Sequence, residues 1–125
     1  METNQMQLTE VVYNLVNLTP HPITLLDQYD QPLFTVESSG VARVSSQTTT
    51  LGMYALNGVE VPHTHPVYGQ IEGLPDTAPG VIYIVAGMIV SALAAQGIRC
   101  DDVVVPGLQV RDDQGRVIGC RSLDN

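Results

Sequence analysis

The chain predicts an α+β domain made mainly of antiparallel β-sheet, with one short helix at about 86–96 inside a strand–helix–strand unit. Three observations point there. Apolar and β-branched residues come in short runs (Val11–Leu18, Ile23–Asp27, Val81–Val85, Val103–Val105) separated by Pro, Gly, Asn and Asp. Asn57-Gly58 stands between Met53–Leu56 and Val59–Val61, the strongest short-range hairpin signal in the chain. Only Ala86–Gln96 has the Ala, Met, Leu and Ser composition of a helix, and Gly97 follows as its stop.

Taken in order, Val11–Leu18 and Ile23–Asp27 read as strands joined by Thr19-Pro20-His21-Pro22. Two prolines in four residues remove ladder donors, so that joint is a rigid connection or an edge kink. Gln28–Gln31 reads as a turn into a strand at Pro32–Glu37, and Ser38-Ser39-Gly40 ends it. Val41–Ser45 alternates like a half-buried strand, and the polar run to Thr50 can continue it along a solvent face. His63-Thr64-His65, set between Pro62 and Pro66, reads as a loop. Pro79-Gly80 precedes the buried strand at 81–85, and Pro106-Gly107 ends the one at 103–105. Leu108–Arg111 and Arg116–Cys120 form a closing hairpin around Asp112–Gly115. The expected organisation is one compact domain over 9–125 behind a flexible 1–8.

Composition excludes several classes of function. The net charge of −8 and pI near 4.4 oppose nucleic-acid binding, which needs basic surface. No basic amphipathic stretch suits a membrane surface, and the apolar run Val81–Ala95 is shorter than the roughly 18 residues that span a bilayer. The first residues, Met-Glu-Thr-Asn-Gln-Met, lack the charge and apolar core of a signal peptide, so a cytoplasmic chain is expected. Cys100 and Cys120 then read as free thiols.

The positive charges carry the most chemical information. All five are arginine (Arg43, Arg99, Arg111, Arg116, Arg121), against thirteen Asp and Glu and no lysine. Arginine's planar fork grips phosphates and carboxylates in two places. These side chains therefore either pair with Asp to fix turns or point into a site for an anionic ligand. Other constellations are weaker. His63 and His65 would share one face of an extended segment and His21 could add a third nitrogen for zinc, but no companion metal motif accompanies them. Asp101-Asp102 and Asp112-Asp113 read as capping or solvated acids. No nucleophile elbow, phosphate-binding glycine loop or dinucleotide fingerprint occurs, so neither an enzyme nor a cofactor is expected. His21, fixed between Pro20 and Pro22, offers a ring of set direction beside the polar Asn17 and Thr19.

An ordered series of segments carries a resemblance. Asn17-Leu18-Thr19-Pro20-His21-Pro22-Ile23 is followed by Ser39–Val44, Gly73-Leu74-Pro75 and Pro79–Val85, then by Arg99–Gly107 and Arg111–Cys120. Over residues 13–123 this series resembles a family of small uncharacterised proteins of phages, prophages and some bacteria. The family brings no established activity. The phage context that it implies suggests counter-defence by analogy: a non-catalytic homo-oligomer that sequesters an anionic, nucleotide-derived host signal in the host cytoplasm. For that ligand the expected contacts are Arg99 and Arg111 with Arg43 on phosphate, Asp102 on a ribose or base donor, and Asn17 and His21 on the ribose or base. The alternatives are a module that inhibits a host protein through its acidic surface or a strand edge, and a zinc hydrolase using His21, His63 and His65.

Overall fold

Eight strands and one helix are built by residues 13–125, the part of the chain that this computed structural model describes. The flexibility expected for 1–8 and the start of the strand expected at Val11 lie outside the described residues. In chain order the elements are β1 (Asn14–Asn17), β2 (Ile23–Leu26), β3 (Pro32–Val36), β4 (Arg43–Leu56) and β5 (Val59–Glu72). Then come β6 (Val81–Ile84), α1 (Gly87–Ala95), β7 (Val103–Arg111) and β8 (Val117–Asp124). The fold is α+β and strand-dominated.

Six strands form one mixed sheet in the order β1-β6-β7-β8-β2-β3. The β7/β8 and β2/β3 joins are antiparallel and carry most of its ladder. The β1/β6, β6/β7 and β8/β2 joins are parallel and short, the last registering only Leu25 against Cys120. The β1/β6 and β8/β2 joins unite strands far apart in sequence, such as Val16 with Tyr83, and no local pattern encodes such a pairing. Hairpin signals report local antiparallel neighbours alone, so the sequence reading saw mainly those.

The core lies between this sheet and α1. Tyr83, Val85 and Val103 face Ile89 and Leu93 of the helix, with Leu18 and Ala42 closing the side. Ile84, Val85 and Ile89 are almost wholly excluded from water, and each such side chain contributes about 1.5–3 kcal/mol of transfer free energy. A nine-residue helix is marginal by itself. Here it lacks a side-chain N-cap, so the burial of Ile89, Ala92 and Leu93 holds it. Its C-terminus is closed by two backbone bonds, Gly97 N–H to Ala94 O at 3.0 Å and Ile98 N–H to Leu93 O at 2.9 Å, the Schellman arrangement.

β4 and β5 leave this body as a separate two-stranded sheet. Its base is anchored, because Val44 and Ile71 pack against the core cluster. Its tip is the Asn57-Gly58 turn, with φ of 51° and 79° at the two central residues. Both angles are positive, as a type I′ hairpin requires, and Gly58 adopts its angle without steric cost. The hairpin extends far beyond the few residues expected around Asn57-Gly58: its register runs from Leu56↔Val59 to Arg43↔Glu72, with irregularities at Thr50/Gly52 and Val44/Ser46.

One sequence expectation is corrected here. His63-Thr64-His65 is not a loop; it lies within β5, together with Pro62 and Pro66. The physical reason is that each strand of a two-stranded ribbon is an edge. In an antiparallel ladder, alternate residues turn their N–H groups away from the partner. Counting from the Leu56/Val59 pair that closes the turn, residues 60, 62, 64 and 66 face outward. Both prolines therefore fall where no ladder donor is lost.

Candidate functional site: a projecting two-stranded arm

Each strand of the arm has fourteen residues, giving a ribbon about 45 Å long at ~3.3 Å per residue. Strand alternation sorts its side chains onto two faces. Tyr54, Leu56, Val59, Val61 and Val67 share one face with His63 and His65, as the register requires. The Tyr54 and His63 rings lie 4.8 Å apart at 31°. The opposite face carries Ser46, Thr48, Thr50, Thr64, Pro62 and Pro66 with Met53, Ala55, Glu60 and Tyr68. The five large apolar side chains of the first face are all exposed. From Val44 to Ile71 the only formal charge is Glu60, on a chain of net charge −8. An isolated two-stranded ribbon is marginally stable in water; a further strand or a packed face is needed to hold it. The arm thus presents a largely uncharged, apolar face to solvent.

The residues expected to contact a ligand are dispersed. Asn17 is fully buried and serves the fold. Its Nδ2 donates to the carbonyls of His21 (2.8 Å) and Val36 (3.0 Å). Its Oδ1 accepts from the Thr19 N–H (2.9 Å) and hydroxyl (2.7 Å). The Thr-Pro-His-Pro joint and β3 are thereby tied to β1. His21 is exposed and borders a shallow cavity of about 500 Å³ lined also by Pro22, Thr24, Pro106 and Gln109. Arg43 opens β4 on the exposed surface, opposite Glu72 in the register. Arg111 donates to the Gly115 carbonyl at 2.7 Å and so clips the closing hairpin.

Arg99 and Asp102 are brought together. They line one open groove of about 490 Å³ with Tyr13, Thr77, Ile82, Cys100 and Asp101. The Arg99 side chain is 89% exposed and lies 3.5 Å from Asp101. An anion held there by Arg99 would also meet the carboxylates of Asp101 and Asp102. The other two arginines pair with acids: Arg116 with Asp112 at 3.0 Å and Arg121 with Asp30 at 2.6 Å. Among the described residues no group of three or more His, Cys, Asp or Glu is placed to hold a metal ion. His63 and His65 lie on the arm, and His21 belongs to the β1–β2 joint. Tyr83 is buried, and its hydroxyl reaches the Asp76 carbonyl at 3.4 Å.

Two carboxyls titrate below the ordinary range. The Arg121 side-chain hydrogen bond holds Asp30 down. The Arg116 backbone N–H does so for Asp112, helped by the N–H of Gln114 and the Arg116 side chain. Because both folded values are depressed, their contribution is present above the unfolded value of about 4 and is lost as pH falls through the folded values. The melting temperature is therefore expected to hold level between pH 7 and 5 and to fall below about pH 4. Asp30→Asn and Asp112→Asn should each flatten that fall, as thermal scans across the range would register. Cys120 is buried, and burial pushes its thiol up, away from nucleophilic use. Cys100 is a half-buried free cysteine.

Sequence reasoning missed the arm, although two signals for it were present. Val59, Val61, His63, His65 and Val67 keep strict alternation through both prolines. The prolines themselves are four residues apart, so in a strand they share one parity. Among the described residues no helix is long and apolar enough to cross a membrane. Compared with known proteins, the chain matches no family model, no curated protein and no solved structure.

Proposed function

We propose that this chain is a non-catalytic protein-interaction module that works through its projecting arm and associates with copies of itself. The observation that carries this reading is the arm: fourteen-residue strands, one exposed apolar face, and Glu60 as the single formal charge between Val44 and Ile71. A ribbon of that kind gains its stability from what it docks against. The compact body beneath it supplies a rigid anchor through Val44 and Ile71. The resemblance to small phage and prophage proteins supplies the setting, in which such a module would act on protein in the host cytoplasm. Sedimentation equilibrium of the purified chain tests the self-association. A mass above the 13.5 kDa of one chain is expected, and one-chain behaviour at every concentration would overturn it.

A second reading, sequestration of an anionic nucleotide-derived molecule, draws support from Arg99 and Asp102 lining one groove. It requires that a cyclic-nucleotide or ADP-ribose panel raise the melting temperature and that Arg99→Ala abolish the rise. A ligand at one hundred times its Kd adds about 2.7 kcal/mol. A flat panel would remove this reading and leave the first intact.

A further inference from the structure

We infer that the arm's partner is a second copy of this chain, paired antiparallel through the outer edge of β4 to make a four-stranded ribbon in the order β5-β4-β4-β5. The inference rests on the interaction reading above and adds which edge is used, by what partner, and why assembly stops at two.

The two edges of the arm are not equivalent. Along β5 the outward backbone positions include Pro62 and Pro66, which have no N–H to offer. A strand added there would lose two donors four residues apart and would meet two pyrrolidine rings. Along β4 the outward positions include Thr48 and Thr50, opposite Pro66 and Thr64. No proline occurs anywhere in β4. Every outward residue of β4 therefore keeps its N–H, with the extra residue Leu51 re-aiming the edge midway, and β-branched threonines favour an extended partner.

The occupant follows from charge and symmetry. From Val44 to Leu56 the strand has no charged residue, whereas the chain as a whole carries −8. Two copies can meet along this edge without like-charge repulsion, and a basic partner would find no carboxylate there. An antiparallel strand pair about a two-fold axis is self-complementary, since each outward donor of one copy meets an outward acceptor of the other. Because β5 is closed by proline, the pairing consumes the only open edge of each arm and the assembly ends as a dimer. Four strands also exceed the three that a free-standing sheet needs. A contact about 45 Å long buries on the order of 600 Å² from each copy, which reaches the lower bound for a specific interface.

The test uses the full-length chain and sedimentation equilibrium. Wild type is expected at twice the 13.5 kDa chain mass. Thr48→Pro with Thr50→Pro removes two outward donors and leaves the β4/β5 ladder bonds in place, so it should give one-chain mass with the body's melting temperature retained. The opposite change, Pro62→Thr with Pro66→Thr, opens the second edge and should drive assembly beyond two chains. That gain does not depend on any variant losing a fold. A Thr48→Pro/Thr50→Pro variant that stays dimeric overturns the edge assignment while arm-mediated association survives. A Pro62→Thr/Pro66→Thr variant that stops at two chains overturns it as well. Wild type that sediments as one chain overturns this inference and the self-association in the reading above.

Discussion

Asn17→Ala is expected to lower the melting temperature by about 10 °C, the largest stability loss for any polar residue in the described chain. Asn17 is 0% exposed and uses both ends of its amide, donating twice and accepting twice. Truncation leaves the Thr19 N–H and the Val36 carbonyl without their partner in a region that excludes water, and opens a small void. Orphaned buried groups cost about 1–3 kcal/mol each, and about 3 kcal/mol in total is a fair sum after partial relaxation. For a domain of this size that corresponds to roughly 10 °C. Asn17→Asp should not rescue it. A carboxylate can accept from Thr19 but cannot donate to the His21 and Val36 carbonyls, and it brings a charge into the interior. Chemical denaturation of both variants is the check: the midpoint should fall with an unchanged slope. A shift of under about 2 °C in Asn17→Ala would mean that the β1 joint is held by other contacts.

Tyr54→Asp combined with Leu56→Asp is expected to weaken self-association at least 100-fold while leaving the body's stability unchanged. Both residues lie on β4, the strand that meets its copy, and in the single chain they are 48% and 52% exposed, so the substitutions remove no core packing. Across the β4–β4 seam each side chain would lose about 1–1.5 kcal/mol of packing against the partner's strand. Two added carboxylates per chain would also put charge on an edge that otherwise carries none. A 100-fold change in Kd corresponds to about 2.7 kcal/mol, which these two effects together exceed. Sedimentation gives the association constant and thermal unfolding gives the stability. Equal association by the variant and wild type would show that β4 does not lie against its copy.

How much of this was legible in the sequence differs by element. Helix α1 was readable within a residue or so at each end because Gly97 marks its stop and no other segment has its composition. The tip of the arm was readable because Asn57-Gly58 specifies its own turn geometry. The arm's length was not, since Pro62 and Pro66 are ordinarily strand breakers and only their shared outward parity makes them harmless. The parallel joins of β1 to β6 and β2 to β8 were hidden for a different reason: they depend on long-range closure, on which local patterns are silent. At the level of single residues, the arginine bias left two readings open: Arg–Asp pairing is seen at Arg116 and Arg121, whereas Arg111, expected on a ligand's phosphate, donates to the Gly115 carbonyl. Asn17 was singled out as a ligand contact because a polar residue beside two prolines suggests an exposed strand end. Its burial depends on Val36, nineteen positions away.

Hydrogen exchange across residues 45–70, followed as a function of protein concentration, tests most directly whether the arm is covered by protein. Amides of 81–85 and 103–105, inside the body, serve as the internal reference. If arms dock against one another, exchange in 45–70 slows by about 100-fold or more once the chain associates and returns to fast rates on dilution, while the reference stays slow throughout. Arm amides that exchange equally fast at every concentration, on a chain that remains at 13.5 kDa, would contradict the account.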